Sequence, residues 1–261
     1  NVPAPSRQVG NAPRVSWRIA VEMIPAEDVE VLRRLAERRM AIAADPLNLE
    51  CREAWLRHDA GTGGRPMVLM EWQGVVDRNP PFPQAPLQCT DPWARGVEDK
   101  LRRDIHNFEV IKDDVVVEPF FDIRWQVESS GYGVESRQHR PEIEHGMGAR
   151  RWDPAIKDLD SDFGKLRSRT HRVDREATLA AKERTEEVFG DILPVRIRGA
   201  FWWTLGMTIY AINLIGLEQL MLAMFDNPDG LHRLMQFLHD DHVAFAEWLE
   251  REGLLTLNNE N

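Results

Sequence analysis

Apolar positions along the chain alternate between helix-like stripes and short, continuous apolar runs. The first clear stripe covers 25–44, where Pro25 and the acids after it mark the start of a helix. Asp45 before Pro46, and Asn227 before Pro228, are typical of a capping residue followed by proline at the first helical position. Further helices are predicted over 45–58, 91–111, 174–190, 217–225 and 227–253.

The continuous apolar runs predict strands that are buried on both faces. They are separated by helical stretches, which favours a parallel sheet with helices outside. A long Gly- and charge-rich excursion follows the second run, at 129–150. The predicted strands are 67–72, 115–123, 193–200 and 254–258.

This order predicts an α/β fold of the (β/α)8 TIM-barrel type with helices at its N-terminal end. Only about the first four β/α units are present, and four strands cannot close a barrel that needs eight. Residues 1–24 form an N-terminal extension in this interpretation, and 25–261 form the partial barrel. We therefore expect the chain to be the N-terminal part of a longer protein, and by itself poorly soluble or a homodimer, because an open sheet edge invites association.

Charge and composition exclude several classes of protein. The formal charge of −10 at pH 7 argues against a nucleic-acid surface, which needs clustered Lys and Arg. The longest apolar stretch, 205–217, is interrupted by Asn213 and Gly216 and is too short for a membrane span. Cys51 and Cys89 form neither a disulfide framework nor a metal-binding pair, so a reducing cytoplasm is the expected location.

The stretch "LPVRIRGAFWWTLGMTIYAI", with the helices after it, resembles the uroporphyrinogen decarboxylase superfamily. In that family, a strand ends in Gly, a turn of the Gly-Ala-Pro-Trp-Thr-Leu type follows, and the next helix carries a tyrosine; this stretch is similar. The resemblance extends over about 65–261 and implies that the aspartate ending the second strand faces the pocket. Asp122 is the nearest match, and Glu118 is its rival at a small offset. The residues that match in order are Gly199, Ala200, Trp202 or Trp203, Thr204, Leu205 and Tyr210.

One departure from that family concerns the loop after the first strand. Decarboxylases of the family carry arginines there, whereas "MEWQGV" has Glu71 and Val75 at those positions. A carboxylate facing a substrate with many carboxylates is repelled by on the order of several kcal/mol in a low-dielectric pocket. The resemblance then favours the methyltransferase branch, whose zinc and corrinoid cofactors imply ligands, a His-x-Cys pair and a later Cys, beyond Asn261.

Residues at the carboxyl ends of the strands are the candidate site, because active sites of β/α barrels lie at that face. Together they predict an acidic, amide-lined mouth with aromatic walls for a polar or cationic small molecule. The alternative for the tryptophans is simple packing under helices. The candidate catalytic residues are Asp122, Glu71 and Glu260. The candidate substrate-binding residues are Glu118, Trp72, Gln73, Trp202, Trp203, Tyr210, Asn258 and Asn259.

Two histidine-containing motifs are weaker candidates. "HDDH", at 239–242, lies on a helix whose outer face should be solvated, so we predict no metal site there. His139 and His145 lie in the long excursion and could either gate a ligand or be solvated. The glycines at 61–64 precede a predicted strand instead of linking strand to helix, which is the wrong context for a phosphate loop.

The leading hypothesis is a methyltransferase-like enzyme that acts on a small methylated or polar substrate with a corrinoid protein as partner. The alternative is a tetrapyrrole decarboxylase of porphyrin biosynthesis, in which Asp122 would hold the pyrrole nitrogens. A second alternative is a non-catalytic ligand-binding barrel. The replaced arginines count against the decarboxylase.

Overall fold

The computed structural model describes residues 24–70, 86–139, 151–199 and 206–257. Within them the chain is a mixed α/β structure of long helices and short strands. The helices are α1 (Ala26–Ala43), α2 (Pro46–Asp59), α3 (Pro92–His106), α4 (Arg175–Phe189), α5 (Thr208–Ile215), α6 (Leu217–Asp226) and α7 (Pro228–Arg251). The strands are β1 (Phe121–Arg124), β2 (Gln126–Ser129), β3 (Arg137–His139), β4 (Arg151–Asp153), β5 (His171–Asp174) and β6 (Val195–Arg198).

The predicted helix starts are confirmed by their capping hydrogen bonds. The side chain of Asp45 accepts from the N–H of Leu47 at 2.9 Å, and that of Asn227 accepts from the N–H of Gly230 at 2.8 Å. Each of these caps is followed by proline at the start of its helix. Capping satisfies N–H groups that have no partner within the helix, so local sequence suffices to place these ends.

The first hydrophobic core lies between α1, α3, α4 and one face of the β1–β6 pair. Phe121 and Val195 contribute from the strands. Leu32, Leu101 and Phe189 contribute from the three helices, and each is fully buried. The rings of Phe121 and Phe189 meet edge to face, with centroids 5.4 Å apart. This core fixes which face of the strand pair is covered by helices.

The second hydrophobic core is built mainly by α5, α6 and α7. Leu214, Leu234 and Leu238 are buried in it, and Ile156 from the preceding loop joins them. The predicted stripe of α7 is confirmed at Leu231, Leu234, Leu238 and Leu249, while Phe245 is half-buried. Among the described helices, none is by itself long and apolar enough to cross a membrane; α5 and α6 pass that test only as a pair, and they are bent by 97° at their junction.

Strand pairing is parallel in one place and antiparallel in two. β1 and β6 run parallel, with Phe121 opposite Val195 and Asp122 opposite Arg196. The antiparallel pairs are β2 with β5, and β3 with β4. The parallel pair agrees with the predicted β/α organisation. The antiparallel pairs were not predicted, because their strands of three or four residues are too short to show a period-two apolar pattern.

The first predicted strand is wrong for its described part, 67–70. These residues are not in a strand, and Val68 and Leu69 are 60% and 54% exposed instead of buried. Their backbone is bonded elsewhere: the N–H of Val68 donates to the carboxylate of Asp114 at 2.7 Å, and that of Met70 donates to Asp113 at 2.8 Å. Side-chain acceptors therefore take the place of a neighbouring strand.

The second predicted strand, 115–123, is shorter in the structure, where β1 begins at Phe121. The preceding backbone is satisfied by side chains from the helices. Buried Asn48 bonds both the N–H and the C=O of Val117, at 2.8 and 3.0 Å. Arg39 donates to the carbonyl oxygens of Glu118 and Phe120, at 2.7 and 2.6 Å. An apolar run predicts the strand from 115, but these side chains bond the backbone before Phe121, so strand pairing begins only there.

The third predicted strand is confirmed by β6, and the fourth is reduced to a single bridge residue, Leu255. This segment passes very close to the end of β6. The N–H of Gly199 donates to the hydroxyl of Thr256 at 3.0 Å. A Cβ on Gly199 would lie 2.1 Å from the carbonyl oxygen of Leu254, so only glycine fits between the two segments.

We expect Gly199→Ala to lower the free energy of unfolding by about 3 kcal/mol or more, because the added methyl group meets backbone that cannot move aside. Gly96→Ala is the matched control. Nothing lies within 4 Å of a Cβ at Gly96, on α3, so alanine there should stabilise the helix by about 0.5–1 kcal/mol. Urea denaturation of both variants is the measurement; equal effects would contradict the close approach at Gly199.

Candidate functional site

The face of the β1–β6 pair that the helices do not cover carries charged side chains. In-register partners on parallel strands share a face. Phe121 and Val195 occupy the face that packs in the first core, so Asp122 and Arg196 lie on the opposite one. Arg198, two residues after Arg196, is on the same face. Alternation in two short strands thus separates an apolar face from a charged face.

Glu118, Asp122, Arg196 and Arg198 form one network of ion pairs, which we call the charged cluster. Arg196 Nε donates to Asp122 Oδ1 at 2.5 Å, and Arg198 Nη1 donates to Asp122 Oδ2 at 3.1 Å. Glu118 Oε2 accepts from Arg196 Nη2 at 3.2 Å and from Arg198 Nη1 at 3.1 Å. All four side chains are between 20% and 32% exposed, so the cluster is accessible without being on the open surface.

The backbone beneath the cluster is held from the helix side. Phe121 N–H donates to the carbonyl of Pro194, the residue before β6, so the carbonyls of Phe120 and Asp122 point to the other edge of β1. Lys100 Nζ, from α3, donates to the carbonyl of Asp122 at 2.8 Å. The guanidinium of Arg196 lies 3.5 Å from the centroid of the Phe120 ring, a cation–π contact. These contacts limit how far the charged side chains can shift.

The charge state of the cluster follows from its hydrogen bonds. Burial acts to raise the pKa of Asp122, but the hydrogen bonds donated by Arg196 and Arg198 outweigh it and hold that pKa below its usual value of 3.8. Asp122 is therefore ionised at neutral pH and is a counter-ion or an acceptor, not a proton donor. Burial has the opposite effect on the pKa of Lys100, which it lowers; the Nζ of Lys100 lies 4.1 Å from the centroid of the Phe121 ring.

The structure brings together two of the predicted site residues, Asp122 and Glu118, which are partners of the same arginines instead of rivals. We expected Asp122 at the carboxyl end of its strand. It is instead the second residue of the four-residue strand β1, so it lies on the sheet face. The remaining predictions except Tyr210 lie outside the described residues. These are Glu71, Trp72, Gln73, Trp202, Trp203, Asn258, Asn259 and Glu260.

Sequence reasoning missed the two arginines. The segment "VRIR" places Arg196 and Arg198 two residues apart in a predicted strand, which puts both on one face. That signal was available. Of the predicted acidic mouth, the described residues include Glu118 and Asp122, and these two carboxylates are paired with the two guanidinium groups.

Tyr210 is placed in the second core, away from the residues that pack with Phe121. Its ring meets that of Tyr132 edge to face at 6.2 Å and that of His242 at 4.8 Å. The guanidinium of Arg169 lies 5.5 Å from the Tyr210 centroid. Arg169 is in turn bound to the buried carboxylate of Asp241, at 2.7 Å. Tyr210 is thus a packing residue beside a buried ion pair.

The buried Asp241 also accounts for the "HDDH" motif. Its carboxylate accepts from the backbone N–H of Arg169 at 2.7 Å and from the hydroxyl of Tyr132 at 3.3 Å. Burial raises the pKa of the Tyr132 hydroxyl. His242 Nδ1 donates to the carbonyl of Leu238 at 2.7 Å, and His239 bonds Asp240 on the exposed side. His239 and Asp240 therefore pair with each other, while Asp241 and His242 have partners elsewhere.

No group of three or more His, Cys, Asp or Glu side chains suited to a metal ion occurs in the part of the chain that the structure describes. His145 lies outside that part, and the backbone of His139 is in β3. Comparison of the chain with protein-family models, with curated proteins and with solved structures found no match. The charged cluster is consequently the candidate site on its geometry alone.

The pH dependence of stability tests the ionised state of Asp122. Its native pKa is depressed, so its contribution is fully present above the unfolded pKa of about 3.9 and is lost as pH falls from there through the native pKa. We expect Asp122→Asn to lower stability at pH 7 by about 1–2 kcal/mol, intermediate between an exposed and a buried pair. That difference should shrink below about pH 4.

Thermal melts of the wild type and the variant give the comparison, at pH values from about 1.4 units below that unfolded pKa to about 3 units above it. Asp226→Asn, at the exposed end of α6, is the control and should differ little from wild type at any pH. If the stability difference between wild type and Asp122→Asn stayed constant down to the lowest pH, the arginines would not be lowering the pKa of the Asp122 carboxyl group.

Proposed function

We propose that this chain is part of a (β/α)8 barrel enzyme in which the charged cluster forms the floor of a pocket for a small zwitterionic substrate. The observation that carries the proposal is the pairing of two carboxylates with two arginines on the strand face away from α1, α3 and α4. In a β/α barrel the helices lie outside, so this face would be directed inward.

The chemistry of the cluster suits a ligand with both charges. Arg196 and Arg198 can each turn N–H groups toward a substrate carboxylate, and arginine binds carboxylates through two parallel hydrogen bonds. Asp122 and Glu118 can face a substrate cation. A substrate with a single charge would pair with the arginines alone or with the carboxylates alone. The other two groups of the network would then lose their partners. Zwitterionic substrates avoid that cost.

Methyl transfer is the reaction we propose, on the resemblance of 193–212 and the following helices to the uroporphyrinogen decarboxylase superfamily and on Glu71 and Val75, which stand where its decarboxylases carry arginines. The cluster would hold the charged groups of a methylated substrate so that its methyl group faces the acceptor, a contribution of orientation rather than of proton transfer. An ionised Asp122 fits that role. The zinc of that branch finds no ligand set in the described residues, so no step is assigned to it or to a corrinoid.

Binding of glycine betaine, with acetate and tetramethylammonium as its two halves, tests the substrate class by isothermal titration calorimetry. We expect the zwitterion to bind more tightly than either half, because it engages both kinds of charge. Asp122→Asn should weaken betaine but not acetate, and Arg198→Gln should weaken betaine but not tetramethylammonium.

The matched control is Arg172→Gln. Arg172 pairs with Glu128 at 2.9 Å on the exposed surface of the β2–β5 pair and should not affect binding. The melting temperature of each variant is measured alongside, so that unfolding is separated from lost recognition. Betaine that binds no better than its halves, or equally to all variants, would contradict the zwitterion pocket.

Decarboxylation of uroporphyrinogen is the second candidate, since Arg196 and Arg198 supply guanidinium groups that Glu71 and Val75 do not. Each of these arginines is already bonded to carboxylates, however, and a substrate rich in carboxylates would have to displace them. We therefore expect no decarboxylated product above a heat-denatured control when uroporphyrinogen is incubated with the protein and its porphyrins are separated by chromatography. Formation of coproporphyrinogen would overturn the methyl-transfer proposal.

A further inference from the structure

Helix α6 exposes an unusually apolar surface, which we call the α6 patch. Leu220 and Ala223 turn into the second core and are buried. The rest of the helix turns large apolar side chains outward, at positions spaced by three or four residues as on one broad helix face. Their exposed fractions are 56% for Leu217, 59% for Met221, 47% for Leu222, 56% for Met224 and 87% for Phe225.

The size and composition of the patch indicate a contact surface. Five large apolar side chains, each exposed by about half or more, sum to on the order of several hundred Å², the range in which exposed patches mark interaction sites. Met221 and Met224 add flexible, polarizable side chains of the kind found in grooves that accept helices. The helix of ten residues matches two to three turns of a partner helix.

The charged side chains on α6 and in the first turn of α7 are all acidic. Glu218, Asp226 and Asp229 are exposed on α6 and at the start of α7. No lysine or arginine occurs between Arg198 and Arg233 in the sequence. Arg233 is itself paired with Asp160. An apolar surface with an acidic rim therefore remains, and its complement is an apolar surface with a basic rim.

We infer that the α6 patch binds a cationic amphipathic helix of a partner protein. The apolar face of such a helix would cover Met221, Met224 and Phe225, and its lysines or arginines would pair with Glu218 and Asp226. A second copy of this chain would bring the same acids face to face, with −10 net charge on each molecule. A lipid surface selects helices with Lys or Arg on the polar face, and α6 has neither.

Fluorescence anisotropy with a labelled amphipathic peptide of leucine and lysine tests this assignment. We expect saturable binding that weakens with added salt, and weaker binding of a scrambled peptide in which the leucines no longer share one face. The double variant Met221→Gln, Phe225→Gln should weaken binding by about tenfold or more. The double variant Glu218→Gln, Asp226→Asn should weaken it and reduce its salt dependence.

Leu47→Gln is the matched control, because Leu47 is an exposed apolar residue on a different helix, α2, at 68% exposure. It should leave peptide binding unchanged. Binding that is insensitive to both double variants would overturn the assignment. So would a concentration-dependent dimer of the chain, or sedimentation with phosphatidylcholine vesicles, that disappears with Phe225→Gln; these results would identify a second copy or a lipid surface as the occupant.

Discussion

The guanidinium of Arg39 joins the three elements on which the candidate site depends. It extends from α1, where it is buried, to Asp104 of α3, with Nε 2.8 Å from Oδ2. Its Nη1 donates to the carbonyls of Glu118 and Phe120, which lead into β1. A buried cation and buried carbonyls are each costly when unpaired, so each of these groups requires the others. Two helices and a strand entrance are thereby fixed relative to one another.

Arg39 is linked to the charged face of the sheet through the two residues whose carbonyls it bonds, Glu118 and Phe120. Of these two residues, Glu118 belongs to the cluster and bonds both of its arginines, and the ring of Phe120 lies under Arg196. Lys100 does the same for Asp122 by bonding its carbonyl. Cations on the helix side thus position the backbone, and the backbone positions the anions on the other side.

How much of this was predictable depends on whether the cause is local. The starts of α2 and α7 were predicted correctly because each capping side chain lies within three residues of the N–H that it satisfies. The strand over 67–70 was predicted wrongly because Asp113 and Asp114, far along the chain, accept its N–H groups. The pairing of Asp122 with Arg196 depends on the register of two distant strands, and alternation within "VRIR" shows only that its arginines share a face.

The charged cluster and the α6 patch differ in whether their acidic side chains are paired, and the ligands proposed for them differ for this reason. In the charged cluster every carboxylate has a guanidinium partner within the chain, so a ligand must exchange charge for charge and is expected to be small and shaped to that geometry. Around α6, the acids Glu218 and Asp226 sit beside exposed apolar side chains in a segment without cations. Such a surface gains both apolar burial and charge pairing from one large partner. The two binding proposals therefore both depend on where the chain places its arginines.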